Sequence, residues 1–197
     1  MLHLFYSSIK IAQVAAPSGF IAATRDGNEK FTIKCITENA YVVNHRDENG
    51  NTALMWASQK GRLRIVDLLL KAGASTDAKN VDGSTALIKA SVRGHAPIVD
   101  ILLQAGADKD AKNNLGSTAL MWASVNGRTA VVELLLQVGA NTEAKDSTSG
   151  STALIKATRN GFSAIVEQLL EGGANKEAKS TYNSVGQRSH CYRRASP

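Results

Sequence analysis

The sequence predicts an all-α solenoid in which each unit is a helix-turn-helix followed by a β-hairpin finger. Three markers that hold phase along the chain predict it. Gly-x-Thr-Ala-Leu occurs at Gly50–Leu54, Gly83–Leu87, Gly116–Leu120 and Gly150–Leu154, so that Thr52, Thr85, Thr118 and Thr152 stand 33, 33 and 34 residues apart. A Gly-Ala pair keeps step at Gly73, Gly106, Gly139 and Gly173, and an Asp/Glu-Ala-Lys triplet begins at Asp77, Asp110, Glu143 and Glu177. A fixed period of this length is the signature of an array whose units cannot bury their apolar faces alone.

Each element follows from local chemistry. Thr52 carries a hydroxyl suited to cap a helix N-terminus, and Ala53, Ala57 and Ser58 make that first helix small-sided, so that layers can approach. Gly61 ends it, as a residue able to adopt left-handed φ does at no steric cost. A second helix from about Leu63 to Lys71 repeats Ile65, Val66, Leu69 and Leu70 at helical spacing. Gly73 closes it. Residues 74–80 are extended and polar, and Asp82-Gly83 reads as a hairpin tip. Neither helix is long enough to be stable in isolation.

A degenerate fifth copy precedes the four. Ala23–Gly27 aligns with Ala57–Gly61, and Asn39-Ala40 stands where Gly73-Ala74 stands, 34 residues later. Its second half holds Lys30, Thr32, Lys34, Thr37 and Glu38, the polarity expected of a terminal cap that meets water. The organisation is then a leader over 1–19 and a repeat domain over 20–180, followed by a basic tail over 181–197. The repeat domain divides into a capping repeat at 20–46 and repeats at 47–79, 80–112, 113–145 and 146–179. The tail breaks off after the finger-like Tyr182–Gly186 without Thr-Ala-Leu, so Ile155, Phe162, Ile165 and Leu169 are expected to leave an apolar edge that the tail or a second copy would cover, or, as the favoured reading, that marks a shortened version of a longer array.

The net charge of +6 is unevenly spread: residues 20–179 hold 19 basic and 17 acidic residues, while Arg188, Arg193 and Arg194 make the tail basic. A basic tail on a balanced body argues little for nucleic acid. No apolar run approaches a membrane span. Lys10 interrupts the mildly apolar N-terminus, which lacks the positive start of a secretory signal. Two cysteines, Cys35 and Cys191, form no disulfide framework. A cytoplasmic location, with the nucleus as an alternative, is the expectation.

No phosphate-cradling GxxxxGK[ST], no GxSxG and no HExxH occurs, and His3, His45, His95 and His190 are scattered. No catalytic residue, cofactor site or metal site is therefore expected.

The hexapeptide Thr52-Ala53-Leu54-Met55-Trp56-Ala57, recurring at Thr85–Ala90, Thr118–Ala123 and Thr152–Ala157, resembles the T-P-L-H-x-A signature of the ankyrin repeat. Alanine replaces the proline throughout. Met55, Ile88, Met121 and Ile155 replace the histidine, so an apolar contact has to substitute for its hydrogen bonds. The resemblance covers about residues 20–180 and implies a partner-binding surface on the exposed side of the first helices and the hairpin tips.

Carried over by position, that surface begins with a stripe of Trp56, Lys89, Trp122 and Lys156 along a concave groove. Packing of each tryptophan on the next repeat is the alternative reading. One turn on, the same face offers Gln59 and Lys60, Val92 and Arg93, Val125 and Asn126, and Arg159 and Asn160. Val81 and Leu115 are candidate apolar contacts at the tips. Arg46, Lys79, Lys112, Lys145 and Lys179 form a basic ladder beside the acidic Asp77, Asp110, Glu143 and Glu177, expected to compensate one another in solvent. The expected function is a non-catalytic adaptor or scaffold whose partner is a protein, in particular an acidic or amphipathic segment. A shortened or targeting piece of a larger array is the alternative, and acidic or nucleic-acid ligands come last.

Overall fold

The computed structural model describes residues 17–38 and 40–180. The leader up to residue 16, Asn39 at its expected left-handed position, and the tail over 181–197 with Cys191 lie outside them. The described residues form five helix pairs: α1 (Pro17–Asp26) with α2 (Glu29–Glu38), α3 (Ala53–Lys60) with α4 (Leu63–Lys71), α5 (Ala86–Arg93) with α6 (Ala96–Gln104), α7 (Ala119–Val125) with α8 (Thr129–Gln137), and α9 (Ala153–Arg159) with α10 (Ser163–Glu171). A 3-10 turn, Ala40–Asn44, follows the first pair.

The pairs stack in chain order, first helix on first helix and second on second. First helices lie closer together than second helices, because the residues between them are small: Ala57, Ala90, Ala123 and Ala157 are fully buried. A row whose first helices are closer than its second helices curves toward the first-helix side, and this makes the groove. The second helices supply the bulk, with Leu69, Leu102, Leu135 and Leu169 all at 0 % exposure. Burying one such side chain contributes about 1.5–3 kcal/mol.

The helix caps are those the sequence predicts. The hydroxyls of Thr52, Thr85, Thr118 and Thr152 accept from the backbone N–H of Met55, Ile88, Met121 and Ile155 at 3.3–3.4 Å. The side chains that replace the family histidine are buried in the core at Met55, Ile88 and Met121 and half-buried at Ile155. Gly61 ends α3 with φ 74°, and the His95 ring of the next repeat lies directly against it, its Nε2 3.3 Å from the Gln59 carbonyl. Any side chain at position 61 would strain that φ and displace the imidazole.

The capping pair departs from its expected polarity at one residue. Lys30, Lys34, Thr37 and Glu38 are exposed, but Thr32 is fully buried, its hydroxyl satisfied by donating to the Asn28 carbonyl at 2.8 Å. Cys35 is buried as a small hydrophobe, and burial, with some help from Glu38, raises its thiol pKa.

The fingers turn as hairpins but carry no strand ladder. Among the described residues only Arg46 and Thr52 form an antiparallel bridge. Each finger is too short for more: Asn80 donates to the Ser84 carbonyl and Gly83 to that of Asn80, which closes the tip at once. Neighbouring tips are joined by single backbone bonds, Val81 to the Asn49 carbonyl, Asn114 to that of Asp82 and Ser147 to that of Leu115.

Two expectations are corrected here. The charged ladders do not compensate each other, since no described ion pair joins a ladder acid to a ladder base. Three of the four acids instead accept from the backbone of the next repeat: Asp77 from Asp108 N–H at 2.9 Å, Asp110 from Asn141 and Glu143 from Asn175 at 2.8 Å. Arg46 and Lys79 donate to the carbonyls of Lys79 and Lys112. The ladders are rivets between repeats. The second correction concerns the last repeat. Ile165 and Leu169 are not left open; they are 1 % and 0 % exposed, because α10 packs on both α8 and α9. Ile155 and Phe162 are half-buried, and Leu170 is the large apolar residue that α10 exposes.

Candidate protein-interaction surface

The first helices bring Trp56, Lys89, Trp122 and Lys156 to equivalent positions in successive repeats, each half-buried. Their surroundings are set by the finger base, which is Asp47, Asn80, Asn113 and Asp146 in turn. The Trp56 indole N–H donates to Asp47 Oδ2 at 2.8 Å, and the Arg25 guanidinium lies 5.9 Å above the ring, within cation–π range. Burial works against the Asp47 carboxylate, but hydrogen bonds from Trp56, Asn51 and Asn49 outweigh it and hold its pKa below the usual value. At the far end Lys156 Nζ meets Asp146 Oδ2 at 2.5 Å, where the Asp146 side chain is 1 % exposed. Burial again opposes ionisation there. Lys156 and the Ser149 N–H and hydroxyl overcome it, leaving the carboxyl well below the ordinary range.

The middle of the stripe is different. Lys89 has no ion pair or hydrogen bond among the described residues, and the Trp122 indole nitrogen is enclosed without an acceptor. Asn113 explains the latter. Its Oδ1 accepts from Leu115 and Ser117 N–H at 3.0 Å, as Asp47 Oδ1 does from Asn49 and Asn51. The atom equivalent to Asp47 Oδ2 is therefore an amide nitrogen, a donor beside a donor. Substituting Asn113→Asp is expected to supply the missing acceptor and stabilise the chain by about 1 kcal/mol at neutral pH. That is a rise of a few degrees in Tm, roughly 2–4 °C per kcal/mol for an array of this size. The new carboxyl would have a lowered folded-state pKa, as Asp47 does. The gain is then present above the unfolded value near 3.9 and lost as pH falls below it. Equal melting temperatures at pH 7 would refute it.

One turn on, Lys60, Arg93, Arg159 and Asn160 are exposed, while Gln59, Val92, Val125 and Asn126 are half-buried. Asn126 and Asn160 are committed to their own helix ends, donating to the Trp122 and Lys156 carbonyls at 2.8 Å. At the tips Val81 and Leu115 are 61 % and 47 % exposed. Sequence reasoning placed the stripe but missed its partners Asp47 and Asp146, and the placement of Arg25 over Trp56. The signal was available at the finger base, ahead of each first helix, where Asp stands in the two end repeats and Asn in the two central ones. Shallow depressions of about 310 and 260 Å3 lie on the second-helix side, one lined by Leu103, Ala107 and Val138, the other by Ile33, Ile36 and Leu68. No helix among the described residues is long and apolar enough to cross a membrane.

Comparison with known proteins agrees with this architecture. Residues 19–113, 73–146 and 108–180 each match the description Ankyrin repeats (3 copies). The chain is similar to the protein named ankyrin repeat family A protein 2 in Bos taurus and in Homo sapiens, 36 % identical over 72 residues in both. That stretch is 36 % of this chain and 20 % of each relative, so the chain spans about a fifth of the relatives' length. With five stacked helix pairs, hydroxyl caps at every Thr-Ala-Leu and matches spanning 19–180, the chain belongs to the ankyrin-repeat family.

Proposed function

We propose that the chain is a non-catalytic interaction module, an adaptor or scaffold, that holds an acidic or amphipathic segment of another protein along the first-helix groove and against the hairpin tips. The observation that carries this reading is the Trp/Lys stripe. It places large aromatic and cationic side chains, half-buried and regularly spaced, along the row of first helices. Tryptophan and arginine are the residue types that most often anchor interfaces, and Arg25 over Trp56 combines both. Val81 and Leu115 extend the surface to the tips. Ankyrin repeats are typically protein-interaction modules, which favours the same conclusion.

Affinity capture with the intact chain and with Trp56→Ala plus Trp122→Ala tests it. Partner recovery is expected to fall at least tenfold in the double variant while its circular dichroism stays helical. Equal recovery would remove the groove from the account.

A further inference from the structure

The end repeats show what satisfies this stripe. Trp56 donates to a carboxylate nine residues before it, and Lys156 pairs with one ten residues before it, the extra residue being that of the longer tip. In the two central repeats the same register holds an amide. Asn80 offers Lys89 no acceptor: its Oδ1 is taken by Asp82 and Ser84 N–H, and its Nδ2 donates to Asn51 Oδ1 at 2.9 Å. Lys89 is thus a half-buried residue of the stripe whose ammonium has no acceptor among the described residues.

The charge distribution points the same way. Helices α3, α5, α7 and α9 carry Lys60, Lys89, Arg93, Lys156 and Arg159 and no acidic residue. Only Lys156 of these is ion-paired among the described residues. The second helices of the same repeats carry Asp67, Asp100, Glu133, Glu167 and Glu171 against Arg64 and Lys71. On either side of Lys89, one repeat away, stand Trp56 and Trp122.

Resting on the groove reading above, we propose that Lys89 is the receptor for a carboxylate of the partner. This is an Asp or Glu side chain in an otherwise apolar peptide segment lying across Trp56 and Trp122. The incoming carboxylate does for Lys89 what Asp146 does for Lys156. The central repeats keep this position vacant of an internal acid, so that the charge is met only on binding.

The test uses phage-displayed random dodecapeptides selected on the intact chain, followed by fluorescence anisotropy of a selected peptide. Selected sequences are expected to share one acidic position flanked by apolar residues. Replacing that acid by its amide should weaken binding to the native chain about tenfold or more, and change binding to Lys89→Met by less than twofold. Lys71→Met, which removes the same charge from a second helix, should behave as the native chain. Native-like melting of Lys89→Met shows that the fold is intact. Peptides that bind through Trp56 and Trp122 without a fixed acid, or whose acid matters equally in native chain and Lys89→Met, overturn the inference and leave the groove reading standing. A library that yields no peptide dependent on the two tryptophans overturns both.

Discussion

Replacing Lys156 by methionine is expected to destabilise the chain by about 3 kcal/mol at pH 7, the lower end of the range for breaking a buried pair. This lowers Tm by roughly 6–12 °C for a domain of this size. The cost arises from the partner left behind. The Asp146 side chain is 1 % exposed, and Lys156 is the strongest of the groups that hold it ionised. Methionine fills the same volume, so packing is little changed and the loss isolates the charge. The Ser149 N–H and hydroxyl still support the carboxylate, and the Lys156 side chain is 19 % exposed; both place the effect at the low end. The pH dependence gives a second reading of the same event. In the native chain the depressed Asp146 pKa contributes stability that is complete above the unfolded value near 3.9 and lost as pH falls below it. Without the ammonium the folded-state pKa rises toward the unfolded value, so acidification costs the variant less and the gap between the two chains narrows as pH falls. Thermal unfolding of both chains from pH 7 to pH 3 measures it. Coincident curves would show that the pair contributes nothing.

The second large effect is expected in the core. Leu102→Ala should cost about 2–5 kcal/mol, the range for truncating a buried leucine to alanine. Leu102 is 0 % exposed in α6, which packs on α4 and α8 as well as on its own α5. The cavity therefore weakens a repeat and both of its interfaces. In an array whose units lean only on their neighbours, a weak middle separates the two ends. Urea unfolding is expected to broaden, with a smaller apparent m, as the two halves lose their common transition. Leu63→Ala is the control: at 40 % exposure it should cost under 1 kcal/mol. A single sharp transition in Leu102→Ala, at the native midpoint, would contradict this.

The parts of the molecule set by local chemistry were legible in the residues. Thr52 and its equivalents cap because a hydroxyl precedes a helix-forming run, and Gly61 turns because only glycine adopts that φ without cost. Those rules act within four or five residues, and the period repeats them. What was not legible depends on contacts between repeats. Asp77 looked like the partner of Lys79, two residues away, yet it bonds to the Asp108 N–H, 31 residues on. Nothing local distinguishes the two. Thr32 read as a surface residue of the cap, but back-bonding to its own helix let it be buried. The stripe itself was visible as a pattern. Its energetics were not, because whether a tryptophan or lysine is satisfied turns on one atom of the finger base, oxygen in Asp47 and Asp146, nitrogen in Asn113.

The separation of cations on the first helices from acids on the second has a kinetic consequence. It gives the molecule a field across its short axis, so an approaching acidic segment is attracted to one broad side and repelled from the other before any contact forms. Encounter should be fast and well oriented at low ionic strength and slow as salt screens the field, while the lifetime of the complex, set by short-range contacts, changes much less.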